Sequence, residues 1–152
     1  MPEVQPQDSR GFFILPQAPE DAGYYVYGTP GNGASQYAHP KLMSILFAAE
    51  RQLVDRRQFG IGNISMSDGV KHPDHVSHMK GLEVDVRPLR IDGLTQAVRF
   101  FDSAYDLAAT EKLINIFRSC APGQMRIFFN DNRIPGVRKR EKHDNHFHLE
   151  IN

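Results

Sequence analysis

Six of the seven histidines fall in two short clusters. The first, His72-Pro73-Asp74-His75-Val76-Ser77-His78, runs through Gly81 into Glu83-Val84-Asp85. The second is His143-Asp144-Asn145-His146-Phe147-His148. Imidazole and carboxylate are donors that a divalent cation such as zinc accepts, and three or four of them in a rigid shell hold it. Two imidazoles and a carboxylate that leave a fourth position to water make a catalytic centre, because zinc lowers the pKa of bound water towards about 7. Residues two apart on a strand share a face. His146 and His148 therefore look into one cleft, and Glu83, Asp85 and Arg87 share a face by the same argument. His75 and His78 flank a loop that leads into the Asp85 strand. An isolated H-x-H is more often packing than ligation. The combination of His-x6-Asp, a glycine inside it, and a distant H-x-x-H-x-H is what points to a metal. Spacing leaves open which of these residues ligate it.

The elements that must position these groups follow from periodicity and breakers. Residues 1–23 read as an extended lead-in, and Tyr24 to Tyr27 as a short strand ended by Gly28-Thr29-Pro30-Gly31. Pro40 suits the first turn of a helix. Leu42, Ile45, Leu46, Ala49 and Leu53 then recur at helical spacing to about Arg57. Ile61, Ile64 and Met66 among Gly60, Gly62 and Gly69 read as a glycine-broken strand and loop. Leu82 to Val86 is a strand stopped by Pro88. A second helix starts near Asp106 or Thr110, buries Leu113, Ile114 and Phe117, and ends at Ala121-Pro122-Gly123. Strands follow at Met125 to Asn130 and Phe147 to Ile151. This order predicts one α+β domain over residues 1–152, with a mainly antiparallel central sheet flanked by helices.

Composition narrows the function classes. The chain has 152 residues, with 18 Lys+Arg against 18 Asp+Glu, so its formal charge is zero. That disfavours nucleic-acid binding driven by phosphate neutralisation. The longest apolar stretch, Leu42 to Ala49, is too short to insert in a membrane. A single cysteine, Cys120, excludes an internal disulfide framework and a Cys-rich zinc site. The first residues carry neither a basic start nor a 7–15-residue apolar run, which predicts cytoplasmic synthesis without a signal peptide.

The segment His75-Val76-Ser77-His78-Met79-Lys80-Gly81-Leu82-Glu83-Val84-Asp85, followed by His143-Asp144-Asn145-His146-Phe147-His148, resembles the signature of the penicillin-insensitive murein endopeptidase family. That family belongs to the superfamily of lysostaphin-type enzymes, D-Ala-D-Ala peptidases and the hedgehog zinc fold. The likeness extends more weakly from about residue 24 to the end. It implies a hedgehog/D-Ala-D-Ala-peptidase-like fold with Zn2+ held by His78, Asp85 and His148. It further implies that His146 and His143 are the catalytic histidines and that His75 lines the active site. Glu83 stands where the family commonly has a shorter Asp. The D-Ala-D-Ala peptidases tend to carry Ser two residues before the first ligand and Glu three before the last; here those positions are Val76 and Asn145.

The resemblance implies hydrolysis of a peptide bond in the stem peptides of peptidoglycan. Arg87 is a candidate grip for a substrate carboxylate, with a pair to Glu83 or Glu150 as its structural alternative. A basic run, Arg133 to Lys142, would favour acidic stem peptides. Tyr24, Tyr25 and Tyr27 read chiefly as core. A target in the periplasmic or extracellular wall, met by a chain without a visible signal, fits an endolysin, a tail lysin or an injected antibacterial effector, with delivery machinery or an immunity protein as partner. The alternatives are a D,D- or L,D-carboxypeptidase on the same peptides, and a non-catalytic zinc-stabilised binding module.

Overall fold

The computed structural model describes residues 7–17, 21–53, 57–73 and 77–152. The candidate residue His75, with its neighbour Asp74, lies outside the described residues. Helix α1 (Pro40–Gln52) has proline at its first position, and His39 caps it by accepting the Lys41 amide on Nδ1 at 3.0 Å. It stops at Gln52, short of the expected Arg57. Helix α2 (Leu107–Cys120) is capped by Asp106, whose carboxylate accepts the Ala109 amide at 3.0 Å. An oxygen on the residue before a helix satisfies amides that have no partner in the first turn.

The strands are β1 (Phe13–Ile14), β2 (Tyr24–Val26), β3 (Tyr37–Ala38), β4 (Phe59–Ile61), β5 (Glu83–Arg87), β6 (Met125–Phe128) and β7 (Phe147–Ile151). Five of them form an open sheet in the order β2-β4-β5-β7-β6, and β1 pairs with β3 separately. The pairings β4-β5, β5-β7 and β6-β7 are antiparallel, as expected. The pairing of β2 with β4 is parallel, so the sheet is mixed. A parallel neighbour needs a crossover, and the segment carrying α1 supplies it.

Both helices cover one face. Their buried residues Leu42, Ile45, Leu46, Leu113, Ile114 and Phe117 join Phe59, Ile61, Val84, Val86, Phe147 and Leu149 in one core. Phe117 meets Phe59 edge-on at 5.7 Å and lies 6.2 Å from Phe147. Burying each such side chain contributes about 1.5–3 kcal/mol. Alternation along β5 and β7 then sends Glu83, Asp85, Arg87, His148 and Glu150 to the uncovered face. The described part of the lead-in is packed on the rest of the chain: Leu15 is fully buried, and Arg10 reaches the Met79 and Met66 carbonyls. Gly81 turns the chain into β5 with φ +69, and a Cβ there would stand 2.7 Å from the His39 amide nitrogen. No helix among the described residues is long and apolar enough to cross a membrane.

One buried carboxylate outside the histidine clusters was not singled out by the sequence. Asp131, fully buried, accepts the Tyr105 hydroxyl at 2.7 Å and the Arg133 Nε at 2.7 Å. Burial pushes its carboxyl up, but the bonds from Arg133 and Tyr105 outweigh this and hold it below the ordinary carboxylate range. Its contribution is therefore complete above the unfolded-state pKa of about 3.9 and is lost as pH falls through the lower folded value. Asp131→Asn should cost about 2–4 kcal/mol at pH 7, because an amide cannot accept all these donors. Urea midpoints from pH 6 to pH 2.5 check it: wild type loses stability towards the acid end more steeply than the variant.

Candidate metal centre

Pairing of β5 with β7 sets Asp85 opposite His148 and Glu83 opposite Glu150. His78 enters from the loop before β5, in the left-handed region at φ 67. Histidine is among the few non-glycine residues enriched there, and such backbone conformations cluster at functional sites. The loop is held from two sides. The His78 amide donates to Glu83 Oε2 at 2.6 Å, and the ring Nδ1 donates to the Ile64 carbonyl at 3.1 Å. The second bond fixes the neutral tautomer, so Nε2 keeps its lone pair and stands 3.5 Å from Asp85 Oδ2. His148 turns Nδ1 to Asp85 Oδ1 at 2.9 Å.

His78, Asp85 and His148 are all buried, and their ligating atoms lie within 4.8 Å of one another. These three residues could hold a metal ion. The donor set fits one: two imidazole nitrogens and a carboxylate converge, and the His78 ring is anchored from its other side by the Ile64 carbonyl. Glu83, His148 and Glu150 also lie within 4.8 Å of one another. Their carboxylates are already engaged. Glu83 takes the His78 amide, and Glu150 pairs with Arg126 at 2.6 Å. They stand 3.5 and 3.3 Å from His148 Nε2, which is buried and makes no hydrogen bond among the described residues. Glu83, which the sequence placed on the Asp85 face and marked as a departure from the family pattern, thus holds the His78 amide and stands beside His148.

The charges respond accordingly. Burial pushes the Asp85 carboxyl up, but His148, His78 and His146 around it hold it down at about 2. Glu83 is likewise held at about 2, burial being outweighed by His148 and the His78 amide. Burial lowers His148, yet Asp85 and Glu83 raise it to about 9, so the metal-free ring is an imidazolium at neutral pH.

Two of the other expected histidines, His146 and His143, lie beside this cluster. His146 Nε2 is 3.8 Å from Asp85 Oδ1, and its Nδ1 donates to the Asn145 side-chain oxygen at 2.8 Å. The His143 ring lies 4.7 Å from His146 and 5.9 Å from His148. His143 donates from Nδ1 to the Glu141 carbonyl at 2.8 Å, and burial draws its pKa below 6.5. His72 is buried and donates to the Thr29 carbonyl.

Two clefts flank the ligand set. One, about 460 Å3, runs past His78, Lys80, Glu83, Arg126 and Glu150. The other, about 310 Å3, is bounded by Tyr27, Thr29, Asn63, Asp85, Arg87 and His146. Arg87 makes neither structural pair foreseen for it: its guanidinium stacks 3.9 Å over the Tyr27 ring. Of the three tyrosines, only Tyr24 belongs to the core. Tyr25 and Tyr27 lie over Gly60 and Gly62, where a Cβ would meet their rings at 2.7 and 2.6 Å. Tyr-x-Tyr paired with Gly-x-Gly was the sequence signal for this floor. Asn63, also missed, accepts the Thr29 amide at 2.8 Å and the Ser35 hydroxyl at 2.7 Å, which shapes the cleft wall. Comparison of the sequence with known protein families and with curated proteins returns no match.

Proposed function

We propose that the protein is a zinc-dependent endopeptidase that hydrolyses peptide cross-links of bacterial peptidoglycan, on a hedgehog/D-Ala-D-Ala-peptidase-like fold. The observation that carries this reading is the convergence of buried His78, Asp85 and His148 within 4.8 Å, with His78 lining one cleft and Asp85 the other. Zinc, when bound, supplies a Lewis acid and a water activated at neutral pH. His146 Nε2, 3.8 Å from Asp85 Oδ1 while Nδ1 bonds Asn145, faces the ligand set and would take the proton of the attacking water. The water oxygen bonds to the scissile carbonyl carbon, the C–N bond breaks, and the amine leaves with a proton returned by the imidazolium. His143, neutral through burial and packed on His146, stabilises that charge change. Asn145 is neutral and cannot act as a base, which favours the endopeptidase over a carboxypeptidase. The wall lies outside the cytoplasm, so the protein acts there.

Digestion of purified sacculi by zinc-loaded protein, read by mass spectrometry of muropeptides, tests the proposal. Cross-linked dimers should fall and monomers rise, with uncross-linked pentapeptides intact. Trimming of pentapeptides alone would make the enzyme a carboxypeptidase, and unchanged muropeptides would overturn hydrolysis of the wall.

A further inference from the structure

The lead-in carries an arginine whose bonds converge on the His78 loop. Arg10 lies outside the likeness to the family, which begins near residue 24. Its guanidinium touches three segments of chain. Nε and Nη2 donate to Asp8 Oδ2 at 2.9 and 2.7 Å. Nη2 also reaches Ser65 Oγ at 3.1 Å and the Met66 carbonyl at 2.9 Å. Nη1 donates to the Met79 carbonyl. These contacts flank His78 from both sides. Met79 follows it directly, and Ser65 follows Ile64, whose carbonyl takes the His78 ring Nδ1–H. One planar fork thus ties the loop that carries the ring to the segment that orients it.

The arrangement is built in. The Asp8 side chain is fully buried and also accepts the amides of Phe12 at 3.1 Å and Asp68 at 2.9 Å. Those bonds fix where the guanidinium can lie. Gly69, at φ +72, approaches so closely that a Cβ would stand 3.2 Å from both Arg10 Nη1 and the Met79 carbonyl oxygen. The Phe12 ring lies 4.3 Å from the guanidinium carbon and fills the space that a Cβ on Gly81 would need. His78 needs such support. Its left-handed backbone is costly for a residue with a Cβ and persists where the surroundings hold it. Relaxation there would swing Nε2 away from Asp85 Oδ2, now 3.5 Å distant.

We propose that Arg10 is a positioning residue of the metal centre, which keeps His78 in place to ligate the ion by tying its loop to residues 8–12. This rests on the metal-binding reading of His78, Asp85 and His148, and not on hydrolysis. The lead-in is then part of the centre. Release of residues 8–12 weakens the ion, and the ion strengthens their docking by the same factor, because coupling between two sites is reciprocal.

The experiment compares wild type, Arg10→Lys and Asp131→Asn. It reads the zinc dissociation constant by chelator competition, the visible spectrum of the Co2+-loaded protein, and the urea midpoint of the zinc-free protein. Lysine keeps a charge beside Asp8, but one ammonium cannot span both segments. Arg10→Lys should raise the zinc dissociation constant about 10- to 100-fold, the usual cost of losing a group that orients a ligand. Its cobalt bands should shift with it. Asp131→Asn, whose lost bonds go to Tyr105 and Arg133, should keep wild-type affinity and bands despite its lower urea midpoint. Wild-type values in Arg10→Lys would overturn the proposal. So would equal weakening in both variants, since affinity would then merely follow stability.

Hydrogen exchange on wild type decides the matter even if Arg10→Lys fails to fold. Zinc should slow exchange of the Gly11 amide, bonded to the Asp8 carbonyl at 3.0 Å, by about 10- to 100-fold. The Gly93 amide, bonded to the Arg90 carbonyl at 3.2 Å in an exposed loop, should be unchanged. Equal Gly11 rates with and without zinc would overturn the assignment and leave the centre standing. A wild type that takes up no zinc would overturn both.

Discussion

Asp85→Ala is expected to abolish both metal binding and hydrolysis. Partners that merely orient a ligand cost 10- to 100-fold when removed, so loss of a ligand itself should cost at least about a thousandfold. Asp85 is also the group that both histidines face, at 3.5 Å from His78 and 2.9 Å from His148. Without it the ion loses an anionic ligand, and a protonated His148 loses the carboxylate on its Nδ1. Metal analysis after dialysis should give near-stoichiometric zinc for wild type and none for the variant. Thermal unfolding provides a second readout. A ligand at a thousandfold excess over its Kd stabilises the folded state by about 4 kcal/mol, roughly 10 °C in a domain of this size. Wild type should show that rise with zinc and Asp85→Ala should not. The affinity should also depend on pH in a defined direction. His148, raised to about 9, must give up its Nδ1 proton to the metal. Zinc affinity should therefore climb about tenfold per pH unit from pH 6 towards 9. A flat profile, or zinc retained in Asp85→Ala, would mean that the ion sits elsewhere.

His146→Ala should separate rate from ligation. Its Nε2 faces the ligand set from 3.8 Å, yet the ring is partly exposed and the three buried donors converge without it. The variant should keep stoichiometric zinc and a KM within a few-fold of wild type. Its kcat should fall about 10^2- to 10^4-fold, the usual worth of a positioned general base. The acid limb of the pH–rate profile should vanish with it. Full wall lysis by a zinc-loaded His146→Ala protein would exclude this histidine from catalysis. His143→Ala gives the finer division: if His143 only steadies His146, the limb shifts in pH rather than disappearing.

Much of the molecule could be read along the chain because the physical cause was local. Pro40 after His39 starts α1, and Asp106 starts α2, because a helix end needs an oxygen or ring nitrogen for its unpaired amides. The alternation in Glu83-Val84-Asp85-Val86-Arg87 predicts that one set of side chains enters the core and the other shares a polar face. The same holds for His146 and His148. That the Asp85 and His148 faces are one face, in register, is a property of β5-β7 pairing across a gap of about sixty residues. No local pattern encodes it.

Two further facts belong to the tertiary structure. The parallel pairing of β2 with β4 depends on where α1 crosses, and a three-residue strand has too few side chains to declare its partner. It is that pairing which lays Tyr25 and Tyr27 over Gly60 and Gly62 and so creates a seat for Arg87. Likewise, nothing adjacent to Glu83 shows that its carboxylate caps the His78 amide while facing the far nitrogen of His148. The sequence by itself determined the donor types, their faces and the α+β frame, because those follow from local periodicity and chemistry. The folded chain decided which donors meet, how each imidazole is oriented and where the clefts lie, because those depend on register and close packing between distant segments.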